Sequence, residues 1–100
     1  MVNKKLTSKI ILEKIKREKA KLKKNGVKKI GLFGSYLQKK QHKKSDIDFL
    51  VEFKTIDLDK YLYVLNFLEK LFKRKIDLVI EKDLKPELTY VKKEARYVEI

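Results

Sequence analysis

Gly34-Ser35 closes one apolar stretch of the chain and, after ten further residues, Asp46-Ile47-Asp48 opens the next. Side chains two positions apart on a strand point to the same face of a sheet, so the two aspartates would lie side by side. Carboxylate oxygens are the ligands that Mg²⁺ accepts together with the phosphates of a substrate. A Gly-Ser pair at a strand end can offer backbone N–H groups and a hydroxyl to those phosphates. The pattern therefore predicts a nucleotidyltransferase, with Gly34 and Ser35 binding nucleotide and Asp46 and Asp48 binding metal.

Apolar and β-branched residues predict a small sheet of about three strands. The strands are expected at residues 27–33, 46–53 and 76–80. The last two are separated by a helical pattern, which allows a parallel, right-handed crossover. The first two are joined by less chain, which allows an antiparallel pairing. The sequence thus indicates a small mixed sheet in an α/β (α+β) fold.

Apolar residues at three- and four-residue spacing predict helices that flank this sheet. The first helix is expected over residues 7–24, capped by Thr7 or Ser8 and stopped by Asn25-Gly26. The inward stripe of the second, over residues 58–73, is Leu58, Tyr61, Leu62, Leu65, Leu68 and Phe72. The last helix begins at Pro86 and carries Leu88, Val91, Ala95 and Val98 on one face. With a short helical turn and a loop at 36–45, the predicted order is α-β-(α)-β-α-β-α.

Asp77 is a third carboxylate, placed inside the otherwise apolar strand 76–80. An ionised side chain is costly there unless it is paired, hydrogen-bonded or bound to metal. If this strand lies beside the one that carries Asp46 and Asp48, the three carboxylates form a two-metal site for in-line phosphoryl chemistry. Singly, each feature has an ordinary alternative, since Asp77 can pair with a cation, Asp46 can belong to a turn, and the Gly-Ser pair can simply end a strand. Jointly, their spacing and placement favour the nucleotide site.

The composition excludes several classes of protein. One hundred residues, 43% of them hydrophobic, fit a single folded domain, expected to cover residues 1–100. The chain has no cysteine and one histidine, His42, which excludes disulfides, thiolate metal sites and a His-rich zinc site. No apolar run reaches membrane-spanning length and the N-terminus lacks a signal-peptide core, so we expect a cytoplasmic protein without a membrane partner.

The formal net charge of +13 attracts polyanions such as nucleotide phosphates and nucleic acid. Lysine alternates with glutamate at helical spacing in residues 13–19, which favours a solvated, ion-paired helix face. A basic nucleic-acid-binding module is the alternative. It predicts binding that falls steeply with salt and does not depend on Asp46 or Asp48.

The two-part motif, Gly34-Ser35 followed by Asp46 and Asp48, resembles the signature of the polymerase-β-type nucleotidyltransferase superfamily. Its context is similar to that of the smallest branch, with Leu-Phe before the Gly-Ser pair and Phe-Leu-Val after the second aspartate. That branch is the minimal nucleotidyltransferase (MNT) domain, the antitoxin of HEPN/MNT toxin–antitoxin pairs. The resemblance includes the strand with Asp77 and covers roughly residues 8–98.

The resemblance implies a role for each matching residue. Gly34 and Ser35 would hold the triphosphate of ATP. Asp46 and Asp48 would ligate one or two Mg²⁺ ions, and Asp77 would complete the metal site and help to deprotonate the incoming hydroxyl. These three aspartates would be the catalytic residues. Similar proteins transfer AMP from ATP to a tyrosine of a partner HEPN toxin, a ribonuclease, and so silence it.

One departure from the family pattern favours a different function. Many members have Arg directly after the Gly-Ser pair, where this chain has Tyr36. Lysines at 39, 40, 43 and 44 can replace its charge but not its bidentate grip on phosphate. A non-catalytic antitoxin that masks its toxin by binding is therefore an alternative, although the three retained carboxylates argue against it. Tyr36 could stack on a base or cover the site, and His42 is assigned no role.

We expect one domain without an appended acceptor-binding domain, so a bound partner is expected to supply the acceptor. Tyr63 and Phe67, opposite the inward stripe of the second long helix, are candidate contacts for that partner or ordinary surface residues. The acceptor, the base preference and the oligomeric state are left open by the sequence.

Overall fold

A computed structural model describes residues 6–38, 46–55 and 57–100 of the chain. Four α-helices and four strands follow one another in the described residues, with two 3₁₀ turns near the C-terminal end. The elements are α1 (Ser8–Arg17), α2 (Lys19–Lys24), β1 (Val27–Phe33), β2 (Ile47–Phe53), α3 (Leu58–Phe72), β3 (Ile76–Ile80), 3₁₀ turns Glu81–Asp83 and Pro86–Leu88, α4 (Tyr90–Glu94) and β4 (Arg96–Glu99).

The four strands form one mixed sheet in the order β3-β2-β1-β4. β1 pairs antiparallel with both β2 and β4, and β2 pairs parallel with β3 through the crossover helix α3. The mixed sheet, the antiparallel first pair and the parallel crossover are as the sequence predicts. Strands β1 and β3 have the predicted bounds, and β2 begins at Ile47, one residue after its predicted start.

One face of the sheet carries the hydrophobic core. Ile47, Phe49, Val51 and Phe53 alternate along β2 and are buried there. The Phe49 ring lies 5.9 Å from the ring of Phe72 at the end of α3. Ile11 and Ile15 of α1 belong to the same buried cluster. The helices therefore cover this face, and the side chains of Asp48, Leu50 and Glu52 point to the other one.

The first predicted helix is present but interrupted. The Thr7 hydroxyl accepts a hydrogen bond from the Ile10 backbone N–H at 3.2 Å, which confirms Thr7 as the cap. α1 ends at Arg17, and α2 begins at Lys19 after the single non-helical residue Glu18. Gly26, with a φ of +85°, follows α2 in the left-handed conformation that the predicted stop requires.

The predicted final helix is wrong beyond Glu94. Pro86 begins only a 3₁₀ turn, α4 is five residues long, and Arg96–Glu99 forms β4. The apolar spacing from Leu88 to Val98 fits a helical stripe, but β1 otherwise has an unpaired edge, and the backbone of β4 satisfies it. Val98 is buried against the core from this strand.

The inward stripe of α3 differs in part from the predicted one. Leu58 and Leu62 are 70% and 44% exposed, whereas Val64, Leu68 and Phe72 are buried. Tyr63 is exposed as predicted, but Phe67 packs against the core, so the prediction for Phe67 is wrong. Within the described part of the chain, no helix has the length and apolar character needed to cross a bilayer.

Candidate active site

Strand register brings three of the predicted site residues together. Phe33 is the antiparallel partner of Asp48, and Asp48 is the parallel partner of Asp77. Gly34 directly follows Phe33 at the end of β1. Asp46 lies one residue before β2 and is exposed, as is Asp77, whereas Asp48 between them is half-buried. The three carboxylates therefore lie at one end of the sheet, beside the Gly-Ser pair.

Gly34 leaves room for the Asp48 carboxyl group. Its φ is +79°, a conformation that residues with a side chain rarely adopt. A Cβ at this position would also lie 2.9 Å from the Asp48 Cγ and nearer still to Oδ2. Only glycine fits this close approach of the β1 end to the β2 carboxylate.

The surroundings of Asp48 raise the pKa of its carboxyl group. Partial burial raises the pKa of the Asp48 carboxyl to about 6, and the negative charges of Asp77 and Asp46 add to the shift. A hydrogen bond between the Asp48 and Asp77 carboxyls raises this pKa further, whereas the Ser35 backbone N–H lowers it. A cation bound beside Asp48 would therefore offset the unfavourable ionisation of this carboxyl.

The donor set fits Mg²⁺ bound together with a substrate. Across the described ranges, no three His, Cys, Asp or Glu side chains form a ready-made metal-binding group. Mg²⁺ does not require one, because it keeps several waters and is usually held by one or two carboxylates and the phosphates of a substrate. Asp46 and Asp48 offer only oxygen donors, and the repulsion that raises the Asp48 pKa is what such an ion would offset.

The residues after the Gly-Ser pair form a single turn. The Gln38 N–H donates to the Gly34 carbonyl at 3.0 Å. Tyr36, whose role the sequence left open, is 2% exposed and belongs to the buried core cluster, so it does not stack on a bound base. The predicted loop beyond this turn, including His42 and the lysines at 39, 40, 43 and 44, lies outside the described residues.

A cleft of about 480 Å³ opens beside Gly34 and Asp77. One wall is the end of the sheet, and the other is the segment from Asp83 to Glu94. The remaining lining residues are Phe33, Gln38, Val79, Asp83, Leu84, Lys85, Leu88, Tyr90, Val91 and Glu94. A mostly apolar cleft with a few polar groups at one end is typical of a small-molecule site. Sequence reasoning missed this wall because it assigned residues 86–98 to a helix on the core.

A second feature that the sequence did not predict is a hydrogen bond between β4 and the residue that follows β3. The Tyr97 hydroxyl of β4 donates to the Glu81 carboxylate at 2.9 Å, just after β3. Lys29 lies 3.8 Å from Glu81 and 4.5 Å from the centre of the Tyr97 ring. A Cβ on Gly31 would come within 2.7 Å of that ring. A glycine inside a strand often marks such a close approach, so Gly31 is the residue in the sequence that indicates this contact.

The fold and the site define a small nucleotidyltransferase of the polymerase-β kind, and comparison with known proteins agrees. Residues 13–96 match the family described as "Polymerase beta, Nucleotidyltransferase". The chain belongs to this family. It is 40% identical over 58 residues to the protein adenylyltransferase MntA of Thermococcus cleftensis, which is 57% of this chain and 59% of that protein. The chain spans between 59% and 65% of the length of the first three curated relatives that it matches.

Two solved structures resemble the fold closely. A candidate minimal nucleotidyltransferase superposes with a TM-score of 0.79 over 94% of this chain and 98% of that chain, at 24% identity, which shows the shared fold alone. A toxin–antitoxin crystal structure with AMP-PNP superposes with a TM-score of 0.64 at 27% identity, over 81% of this chain and 69% of that chain.

Proposed function

We propose that this chain is a nucleotidyltransferase that moves AMP from ATP to a tyrosine hydroxyl of a HEPN-type toxin and so acts as its antitoxin. The observation that carries the proposal is the position of Asp48, in register with Asp77 and against Gly34. Family membership, the protein adenylyltransferase MntA and the toxin–antitoxin structure with AMP-PNP support it.

Each site residue has a task in this reaction. The Gly34-Ser35 end of β1 binds the triphosphate of ATP, and Asp46 and Asp48 would hold one or two Mg²⁺ ions. Mg²⁺, when bound, supplies positive charge that stabilises the α-phosphate as pyrophosphate leaves. Asp77 is exposed at the cleft, where it completes the site and accepts the proton of the incoming hydroxyl.

The cleft determines the direction in which the acceptor must come. Its volume of about 480 Å³ is suited to one nucleotide, so the hydroxyl of a partner toxin would be presented from outside the cleft. Because ATP is the donor, we place this reaction in the cytoplasm. We also propose that residues 1–100 act as a single domain.

Label transfer tests the proposal. The chain is incubated with Mg²⁺, lysate of its source organism and either α-labelled or γ-labelled ATP. We expect α-label, but not γ-label, on a discrete protein band, and we expect Asp46→Asn/Asp48→Asn to lose it. Loss should exceed about 100-fold, because removing charge stabilisation of this kind costs several kcal/mol in the transition state.

The opposite results separate the alternatives. If no label moves while a partner co-purifies equally with wild type and Asp46→Asn/Asp48→Asn, the chain is a masking antitoxin without catalysis. If instead the chain binds nucleic acid, with an affinity that falls steeply with salt and is unchanged by this double substitution, it is a basic binding module.

A further inference from the structure

The chain has five tyrosines, and three of them serve the fold. Tyr36 is buried in the core. The Tyr61 hydroxyl of α3 donates to the Leu78 backbone carbonyl, and the Tyr97 hydroxyl donates to Glu81. These three phenols are thus either enclosed or already hydrogen-bonded, and none is available to a second molecule.

The other two tyrosines are exposed, but only one faces the candidate site. Tyr63 is 47% exposed on α3 and does not line the cleft. Tyr90 is 55% exposed and lines the cleft together with Gly34 and Asp77. Within the described residues, its hydroxyl makes no hydrogen bond. Tyr90 therefore lines the same cleft as the residues proposed to bind the triphosphate and to accept a proton.

The segment that carries Tyr90 is loosely packed. None of its helical turns, from Glu81 to Glu94, contains a buried residue. A hydrogen bond at 2.9 Å joins Glu81, at the start of this segment, to Tyr97 of β4, which follows the segment. A segment with few apolar anchors opens and shifts at low free-energy cost, so the Tyr90 side chain can approach a nucleotide in the cleft.

We propose that Tyr90 is itself an AMP acceptor, so that the enzyme modifies its own cleft. The inference rests on the proposed function, because it uses the same ATP and the same carboxylates. The Tyr90 Oη forms a bond to the α-phosphorus, the bond from that phosphorus to the α,β-bridging oxygen breaks, and pyrophosphate leaves with the electron pair. The phenolic proton passes to Asp77. The attached AMP then fills the cleft and prevents another ATP from binding.

The test is self-modification of the purified chain, with Mg²⁺ and ATP and without any partner. We expect the intact mass to rise by one AMP, and fragment ions to place that AMP on Tyr90. Tyr90→Phe should reduce the modified fraction at least tenfold. Tyr63→Phe, the matched exposed tyrosine outside the cleft, should leave it unchanged, and Asp46→Asn/Asp48→Asn should abolish it.

A second readout does not require turnover. Tetranitromethane nitrates accessible tyrosines, and we expect a non-hydrolysable ATP analogue with Mg²⁺ to protect Tyr90 at least fivefold while Tyr63 stays equally reactive. AMP mapped to another residue, or no self-modification by a wild-type chain that labels its partner, overturns this inference and leaves the proposed function standing. Protection of Tyr90 without self-modification also overturns it and makes the ring a contact surface for nucleotide. A chain that labels neither itself nor a partner overturns both proposals.

Discussion

Gly34 must be glycine for two separate reasons, its positive φ and the nearby Asp48 carboxyl group. Gly34→Ala should lower the free energy of unfolding by about 2–5 kcal/mol, since left-handed strain and overpacking add. It should also displace Asp48 and abolish AMP transfer. Chemical denaturation and label transfer measure the two effects on the same preparation.

Gly26→Ala is the matched control, because it introduces the strain of a positive φ without the close approach to a carboxylate. Gly26 has a φ of +85°, but a Cβ there would make ordinary van der Waals contacts, with the flexible Lys60 side chain at 3.4 Å and the Phe53 ring at 4.0 Å. It should cost about 1–2 kcal/mol and leave transfer unchanged. If Gly34→Ala is no worse than Gly26→Ala in either measurement, the close approach to Asp48 has no consequence for function.

Asp48 should make stability depend on pH in a direction opposite to that of a salt-bridged aspartate. Its pKa rises from 3.8 to about 6 on folding. Below the lower value the carboxyl is protonated in both states and costs nothing. The free energy of unfolding then falls as the pH rises from the unfolded-state pKa through the folded-state pKa, because the unfolded chain ionises more readily. Asp48→Asn, in the presence of a chelator, should therefore stabilise the protein at pH 8 but not at pH 4.

The size of this effect is limited by solvent. Because the carboxyl is only half-buried, screening reduces the expected gain at pH 8 to about 1 kcal/mol, or about 4–8 °C in Tm. Thermal melts of wild type and variant at both pH values measure it. Glu87→Gln, which removes an exposed carboxylate away from the three aspartates, should change Tm by the same small amount at both pH values. An Asp48→Asn gain that is equal at the two pH values would contradict the assigned burial and repulsion.

At the scale of elements, two valines distinguish the strand β4 from the helix that the sequence predicted. Val91 and Val98 lie on the same predicted helical stripe, but Val98 is 5% exposed and Val91 only half-buried in the cleft wall. Val98→Ala should cost about 2 kcal/mol, because the side chain is lost from the core. Val91→Ala should cost about 0.5 kcal/mol. Equal costs in urea denaturation would favour a continuous helix instead.

The sequence predicts the elements whose signals are local. β-branched runs define β1 and β3, and the Gly-Ser and Asp-x-Asp spacing, together with Asp77, predicts where the candidate site lies. The register that sets Asp77 beside Asp48 follows from the crossover through α3. By contrast, the strand character of residues 96–99 depends on the free edge of β1, which is far away in the sequence. The Tyr97–Glu81 hydrogen bond is non-local for the same reason, and only Gly31 hinted at it.

At the scale of the whole molecule, an acidic site lies within a basic chain. The formal net charge is +13, yet three aspartates gather at one end of the sheet. The long-range field attracts polyanions such as ATP and an acidic partner, and it raises their association rates at low salt. Under the proposed function, the local carboxylates would repel a bare triphosphate and accept one that arrives with Mg²⁺. Charge at short range would then favour the metal complex of the nucleotide over the free nucleotide.

Local stability should differ between the sheet and the segment that forms the cleft wall. The strands β1 and β2 are lined by fully buried side chains, whereas no residue in the turns of the 81–94 segment is buried. Amide hydrogens of residues 82–94 should therefore exchange at least about 100-fold faster than those of β1 and β2. A non-hydrolysable ATP analogue with Mg²⁺ should slow exchange in this segment and leave α1 unaffected. Hydrogen exchange followed by mass spectrometry measures both. Protection of the wall equal to that of β1 without nucleotide would mean that the cleft is rigid, and the approach of Tyr90 to the α-phosphate would then require its side chain alone to move.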